Sequence, residues 1–251
     1  MIGRWRRLRR ALAPALALVA MTGSAGAQGF GNEWRAQVTP YVWGTGLGGD
    51  LRPLAGGPTV EIDRSLSDLV GDLDAALFLS GFARRDRFVL MGDLSTSTSS
   101  RSGVLPPAGV QASGRVRQTS LTVTGGWRVA DTLDGTVDLM AGLRHWRLNG
   151  RVDAPGIFTI SSSRSFTDPI LAARAHLRFS PEWSALVYAD VGGFGVGSRA
   201  TSQLLGTVNY RMGPQVTLSA GYRQLSVDYR QGGSRFDLRL GGPILGATIE
   251  F

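Results

Sequence analysis

The stretch SLTVTGGWRV, residues 120–129, alternates between apolar and polar side chains with a period of two. Its apolar set is Leu121, Val123, Trp127 and Val129, and its polar set is Ser120, Thr122, Thr124 and Arg128. Successive side chains of a β-strand point to opposite faces of the sheet. The stretch therefore predicts a strand with one oily face and one polar face.

The same alternation recurs along the chain, at residues 137–144, 171–179, 184–191, 204–211, 216–223 and 245–251. Each segment is about ten residues long, the length typical of a strand that crosses a membrane. Alternation alone does not decide between a soluble β-sandwich and a transmembrane β-barrel, because both have one apolar and one polar strand face.

The lengths of the predicted connections favour the barrel. Short turns are expected near residues 85–86, 131–135, 180–182 and 213–214, and they interleave with longer polar stretches at 53–74, 99–113, 150–166, 193–200 and 230–236. Bacterial barrels show this rhythm of short periplasmic turns and long external loops. Four short and five long connections predict a single antiparallel barrel of ten strands. Eight or twelve strands stay open, because residues 43–65 fit either one tall strand with a loop or an extra hairpin.

Aromatic residues give the second argument for a membrane barrel. Seven of them have outward parity and lie beside the predicted short turns or the chain ends: Trp34, Phe88, Trp127, Phe179, Trp183, Tyr210 and Phe251. On a barrel these positions share one height, as does the aromatic girdle found at a membrane interface. A soluble sandwich gives no reason for such a common level.

The first 27 residues have the layout of a cleaved secretory signal peptide. Five arginines precede an apolar run at residues 11–21, and small residues end at Ala27. The run is too short to serve as a membrane anchor, which needs roughly 20 apolar residues. We therefore expect a signal peptide at 1–27 and one barrel domain at 28–251, exported to a bacterial outer membrane.

Composition agrees with an exported barrel and excludes several other classes. Of 27 basic residues, five leave with the signal peptide, so 22 remain against 19 acidic residues and the net charge falls from +8 to +3. This modest charge gives no reason to expect a nucleic-acid partner. The chain has no cysteine, which excludes disulfides and thiolate chemistry.

Several short pieces resemble a family of small proteobacterial outer-membrane β-barrels, similar in outline to OmpW-like and OmpA-like barrels. They are Pro40-Tyr41-Val42-Trp43, residues 63–74, Ala141-Gly142-Leu143-Arg144, residues 190–195, Gly221-Tyr222-Arg223 and residues 242–251. The last strand ends in Phe251 and resembles the signal that the outer-membrane assembly machinery reads. The resemblance implies the fold, a lipid environment and this assembly partner, and it implies no ligand.

Strand parity places eleven ionisable residues in the barrel lumen: Asp93, Arg128, Asp138, Arg144, Arg174, His176, Arg178, Asp190, Arg211, Arg223 and Glu250. In an open pore the six arginines would favour anions over cations. In a closed lumen they would pair with the four carboxylates, which is the interpretation we favour for a narrow barrel. His176 is either a pH-responsive gate or one member of this polar network, and we favour the network.

Two functions fit this pattern, and from the sequence we favour the first. The first is a narrow pore for small solutes with a mild anion preference, which is the commoner use of the architecture. The second is a non-conducting barrel that acts through its external loops as a structural, adhesive or ligand-binding surface protein. The sequence identifies no solute.

We expect no enzymatic activity, no cofactor and no metal site. The two histidines outside the signal peptide, His145 and His176, form neither a His-x-Ser pair nor an Asp-x-His dyad, so a base positioned beside a nucleophile is lacking.

Residues 65–74 (SLSDLVGDLD) predict a short helix in the first long loop. The acidic residues around that helix do not have the spacing of a calcium-binding loop.

Overall fold

Twelve β-strands form the part of the chain that this computed structural model describes, which is residues 33–44, 46–52, 60–64, 73–105, 110–231 and 234–251. The strands are β1 (Arg35–Trp43), β2 (Gly46–Arg52), β3 (Val60–Arg64), β4 (Leu73–Arg85), β5 (Phe88–Leu105), β6 (Val110–Asp131), β7 (Gly135–Ala154), β8 (Phe158–Arg178), β9 (Trp183–Gly192), β10 (Ala200–Arg211), β11 (Val216–Gln231) and β12 (Ser234–Glu250). The predicted signal peptide lies outside the described residues.

Ten of the strands close into an antiparallel barrel, which confirms the predicted count. The strands β4 to β12 pair in chain order, and β1 pairs with β4 on one side and with β12 on the other. The β1–β12 seam runs from Gln37 opposite Glu250 to Trp43 opposite Ile244. Each of these ten strands therefore has a hydrogen-bonded neighbour on both sides, as a membrane-spanning sheet requires.

The four short turns lie where the sequence predicts them, after β4, β6, β8 and β10. They lie at the same end of the barrel as Ala36 and Phe251, whose backbones bond to each other. We call this end the turn side and the opposite end the hairpin side.

Three of the predicted long loops are wrong. In the stretch 230–236, residues 230–231 end β11 and residues 234–236 begin β12. Residues 99–105 and 110–113 continue β5 and β6, and residues 150–154 and 158–166 continue β7 and β8 around a tight turn at 155–157. These segments are rich in Ser, Thr, Arg and Gly on both faces, so they resemble loops by polarity. They are strands because neighbouring backbones pair with one another in full register far beyond the apolar part of the wall. The 193–200 connection remains a loop, with Phe194 at φ 47° between two left-handed glycines.

The ambiguous stretch at 43–65 contains an extra hairpin that does not enlarge the barrel. After a break at Gly44, β2 continues the path of β1 along the same edge of β12, and β3 folds back on β2. The helix predicted at 65–74 lies outside the described residues except for its last two positions, which begin β4. Among the described residues there is no helix long and apolar enough to cross a membrane.

The outer wall carries a continuous apolar band. Leu121, Val123, Trp127 and Val129 of β6 are 44–63% exposed, and outward apolar side chains of β5 and β7 are exposed beside them. Nine residues of a tilted strand rise about 20 Å, close to the height of the hydrocarbon core that such barrels span. A wall of large exposed apolar side chains is costly in water and is stabilised by lipid.

The close approach of β10 and β11 depends on a glycine. A Cβ atom at Gly221 would lie 1.9 Å from the carbonyl oxygen of Gly206 on β10, whereas a Cβ at Gly206 would meet nothing within 4 Å. We expect Gly221→Ala to lower the free energy of unfolding by about 1–3 kcal/mol, because the added methyl group would overlap the β10 backbone and force the two strands apart. Gly206→Ala is the matched control on the neighbouring strand and should change it by less than about 0.5 kcal/mol. Urea titration in detergent, read by heat-modifiable gel mobility, measures both; equal effects would contradict the close-approach argument.

Candidate functional site in the barrel lumen

The middle of the lumen is crossed by a layer of charged and polar side chains built on two arginines. Arg144 of β7 binds Asp190 of β9 through both carboxylate oxygens, at 3.0 and 2.5 Å. Arg223 of β11 donates to Asp93 of β5 at 2.9 Å and to Tyr41 of β1 at 2.5 Å. Tyr41 in turn donates to Asp93 at 2.8 Å, which closes a three-membered ring of contacts.

Gln203 of β10 joins the two arginine clusters. Its side-chain oxygen accepts from Arg223 at 2.8 Å and from Arg144 at 3.3 Å. Arg144 also donates to Thr122 and Thr201. The resulting network, which we call the ionic layer, draws on seven of the ten barrel strands: β1, β5, β6, β7, β9, β10 and β11. Arg144 is 0% exposed and Arg223 is 2% exposed, so neither guanidinium is available to a passing solute.

A cluster of apolar side chains covers the ionic layer on the hairpin side. We call it the aromatic layer: Tyr41, Trp43, Phe78, Trp146, Phe166, Leu225, Val227, Tyr229, Leu240 and Ile244. Phe166 of β8 stacks on Tyr229 of β11 with ring centroids 4.6 Å apart, although β9 and β10 separate these strands in the wall. Trp43 also lies against Arg223, whose guanidinium carbon is 4.6 Å from a ring centre. A cavity of about 10 Å³ lies among these side chains, space for one water at most.

A second, smaller ionic cluster lies nearer the turn side. The carboxylate of Asp138 accepts from Arg128 at 2.8 Å and from Arg174 at 3.2 Å, and Asp138 is 0% exposed. Arg174 also lies 4.1 Å from the ring centre of Phe82 on the opposite wall. Two cations thus share one buried anion, with the aromatic face supplying further stabilisation of Arg174.

Below the ionic layer the lumen opens into a vestibule on the turn side. The cavity has a volume of about 890 Å³. Its inner end is formed by Tyr41, Asp93, Gln203 and Arg223, and its mouth by the short turns after β8 and β10. The lumen is therefore open at the turn side and closed halfway along.

The structure brings the predicted lumen residues to the inner wall in three groups. Asp93, Arg144, Asp190 and Arg223 form the ionic layer, and Arg128, Asp138 and Arg174 form the second cluster. His176, Arg178, Arg211 and Glu250 line the vestibule. Arg178 is exposed and bonds to backbone oxygens of Leu133 and Thr132 in the adjacent turn, while Arg211 and Glu250 are 4.0 Å apart and half exposed.

Sequence reasoning missed the neutral members of these layers. Tyr41, Gln203 and Thr122 carry no charge, and period-two alternation marks them only as inward. Asp168 was missed as well. It is buried, lies opposite Arg144 in the strand register, and accepts from the backbone N–H and the hydroxyl of Ser198, at 2.6 and 2.9 Å. Its inward parity, which it shares with Arg174 on the same strand, is the signal that could have found it.

The seven predicted girdle residues are 36–67% exposed on the outer wall. Trp34, Phe88 and Trp127 form a chain of edge contacts with centroids 6.1 and 5.9 Å apart, and Trp183 lies 5.0 Å from Tyr210. All of them lie at strand ends on the turn side.

Ring closure, the outward apolar band and the polar lumen define the class of protein: a closed transmembrane β-barrel of the kind found in bacterial outer membranes. Comparison with solved structures agrees at the level of fold. The outer-membrane protease OmpT from Escherichia coli matches with a TM-score of 0.50 and 10% identity, over 91% of this chain and 100% of OmpT.

Two further similar structures are autotransporter domains. The translocator domain of NalP from Neisseria meningitidis matches with a TM-score of 0.48 and 13% identity, over 97% of this chain and 94% of that domain. The β domain of the Bordetella autotransporter BrkA matches with a TM-score of 0.47 and 18% identity, over 87% and 98%. No protein-family model and no curated protein sequence matches the chain. The narrower resemblance to OmpW-like and OmpA-like barrels therefore stays a prediction.

The ionic layer makes a direct prediction about stability. We expect Arg144→Leu to lower the free energy of unfolding by about 3–5 kcal/mol, because it leaves Asp190 charged and unpaired in the lumen. The double variant Arg144→Leu/Asp190→Leu should recover most of that loss. Arg211→Leu, at the exposed rim, is the control and should have little effect. Urea titration in detergent measures all three, and a double variant no more stable than the single one would contradict the pairing argument.

Proposed function

We propose that this protein resides in a bacterial outer membrane and does not conduct, acting through its external surface and not through its lumen. The observation that carries this proposal is the closure of the lumen by two successive layers, one ionic and one apolar. The alternative, a narrow pore with anion preference, needs an open path lined by cations that a solute can reach.

The charge arrangement supports a closed lumen. The guanidinium groups of Arg144 and Arg223 bind carboxylates on other strands, and those carboxylates, on Asp190 and Asp93, are buried as well. Opening the path would separate buried ion pairs and also move the stacked rings of Phe166 and Tyr229. Both changes are costly, since each broken pair leaves charges inside a low-dielectric wall.

Membrane placement follows from the outer wall. The apolar band is matched to the hydrocarbon core, and the girdle residues on the turn side suit the interface. Short turns face the periplasm in such barrels, so the vestibule opens to the periplasm and the hairpin side faces outward. Export through a signal peptide at residues 1–27 is part of this proposal.

The external hairpins support a function at the outer surface of the barrel. The strands β5 to β8 are 18, 22, 20 and 21 residues long, against 10 and 12 for β9 and β10. About ten extra residues per strand project roughly 25 Å beyond the membrane. A paired sheet of this height offers a rigid surface for a ligand or a neighbouring cell component.

One observation favours the alternative function, a narrow pore. The vestibule extends halfway through the barrel and is lined by Arg174, His176, Arg178 and Arg211. A channel gated by movement of the aromatic layer would use this basic vestibule as its periplasmic entrance.

We also propose that the protein is not an enzyme. His145 contacts the hydroxyl of Thr167 at 2.9 Å on the outer surface, and His176 lies among arginines in the vestibule. Neither environment supplies the base, nucleophile and orienting carboxylate that acyl transfer needs. The fold shared with OmpT does not carry its protease activity to this chain.

Conductance in a planar bilayer tests closure. We expect the protein purified from outer membranes to insert and give no discrete steps above the leak, because both layers block the path. Steps with anion preference that fall in Arg174→Ala/Arg178→Ala would overturn the proposal and establish the pore.

Thiol access gives an independent measurement that does not depend on a negative current. The chain has no cysteine, so Ser219→Cys places a single thiol in the vestibule. A charged, membrane-impermeant thiol reagent should modify it from the periplasmic side only. Modification from both sides at equal rates would show an open lumen.

Recognition by the assembly machinery is a further part of the proposal. Phe251 completes the seam, because its backbone N–H donates to Ala36 at 2.8 Å. We expect Phe251→Ala to reduce the amount of folded barrel in outer membranes of cells several-fold, while refolding of the same variant in detergent is unchanged. Phe179→Ala removes a girdle aromatic outside the last strand and is the control. Equal losses for both variants would argue for a general interface effect.

A further inference from the structure

Four arginines lie together on the outward face of β6 and β7, on the hairpin side of the apolar band. Arg115 and Arg117 are on β6, Arg147 and Arg151 are on β7, and all four are exposed. Arg115 lies directly opposite Arg151 in the strand register, and Arg147 lies opposite Thr119. We call these four residues the arginine patch.

The arginine patch is poorly balanced by carboxylates. Arg151 lies 3.9 Å from Asp153 at a half-exposed contact. Within the part of the chain that the structure describes, no ion pair involves Arg115, Arg117 or Arg147, and Arg117 donates to the hydroxyl of Thr98 at 3.2 Å. Like charges directly opposite each other destabilise a strand pair. An anion bridging the two strands would remove that repulsion.

The height of the patch identifies where that anion would come from. The outward apolar side chains end at Leu121 on β6 and at Leu143 on β7. Arg117 and Arg147 are four residues beyond these points, and Arg151 is eight beyond, so the patch spans about 10–20 Å outside the hydrocarbon core. That is the level of lipid headgroups, and the upper part reaches beyond a single layer of headgroup phosphates.

Hydroxyl side chains border the patch on both sides. Thr98 and Ser100 of β5 lie opposite Arg117 and Arg115, and Ser161 and Ser165 of β8 lie opposite Arg151 and Arg147. A surface of guanidinium groups flanked by hydroxyls suits phosphates attached to sugars. Arginine binds phosphate oxygens with two parallel hydrogen bonds, and Ser and Thr exchange hydrogen bonds with sugar hydroxyls.

We propose that Arg115, Arg117, Arg147 and Arg151 form a binding site for a phosphorylated glycolipid of the outer leaflet. The phosphates bind between β6 and β7, the acyl chains lie along the apolar band below, and the sugar contacts the hydroxyls of β5 and β8. This inference rests on the proposed placement in the outer membrane and is independent of whether the barrel conducts.

The test compares binding of a fluorescent disaccharide glycolipid that carries two phosphates with binding of its dephosphorylated form. The protein is purified from outer membranes into phosphatidylcholine nanodiscs, where heat-modifiable mobility confirms that it is folded and inserted. We expect the phosphorylated form to bind at least about tenfold more tightly, since each arginine facing an anionic headgroup contributes about fivefold. The variant Arg115→Gln/Arg117→Gln/Arg147→Gln/Arg151→Gln should lose that preference.

A matched variant controls for total charge. Arg164, Arg199, Arg230 and Arg239 are also exposed on the hairpin side and lie off the patch, so their replacement by Gln removes the same charge. We expect this control to keep the preference for the phosphorylated glycolipid. Replacing the four patch arginines by Lys should give intermediate binding, because lysine keeps the charge and loses the paired hydrogen bonds.

Three results would overturn the proposal while leaving membrane placement intact, because inserted, folded protein is confirmed first. They are equal binding of the two glycolipid forms by wild type, an unchanged preference in the patch variant, and an equal loss in the charge control. Competition by inorganic phosphate or a soluble sugar phosphate at the same concentration as the glycolipid would also count against a lipid ligand. Failure of wild type to insert would instead contradict the proposed function.

Discussion

The seam between β1 and β12 is the contact on which the rest of the structure depends. A sheet inside a membrane cannot leave backbone groups unpaired, so the first and last strands must meet. Their register brings Trp43 opposite Ile244 and Gln37 opposite Glu250, and this closure at ten strands sets the width of the lumen. A barrel of this size has an interior that side chains can fill.

Because the lumen is narrow, the inward side chains of different strands reach one another and form one hydrogen-bonded network. Arg144 on β7 reaches Asp190 on β9 and Gln203 on β10, and Arg223 reaches Asp93 and Tyr41 across the lumen. A guanidinium held inside the wall needs a carboxylate partner, because water cannot solvate it there. The ionic layer therefore follows from barrel size together with charged inward positions. The aromatic layer covers the ionic layer on the hairpin side, and excluding water there strengthens the hydrogen bonds of the ionic layer.

Much of this could be predicted from the sequence, for identifiable reasons. Period-two alternation gives the facing of Arg144, Asp190 and Arg223, and turn residues give the positions of the four short turns. Alternation carries no information on which inward side chains meet, since that depends on register and shear across the ring. The contact between Phe166 and Tyr229 joins residues 63 positions apart, and no local pattern marks it.

The local sequence pattern also does not predict how far the strands extend beyond the apolar band. Outside the membrane a hairpin no longer needs an apolar face, so residues 99–113 and 150–166 lose alternation while cross-strand hydrogen bonding continues where they are described. Arg115 and Arg151 then face each other across a regular strand pair, and this pairing is invisible as long as the segments are taken for loops. The closed lumen and the charged outer face have one origin, which is strand pairing. Pairing encloses Arg144 and Arg223 with carboxylates in the lumen, and it leaves Arg115, Arg117 and Arg147 on the outer face without an ion pair among the described residues.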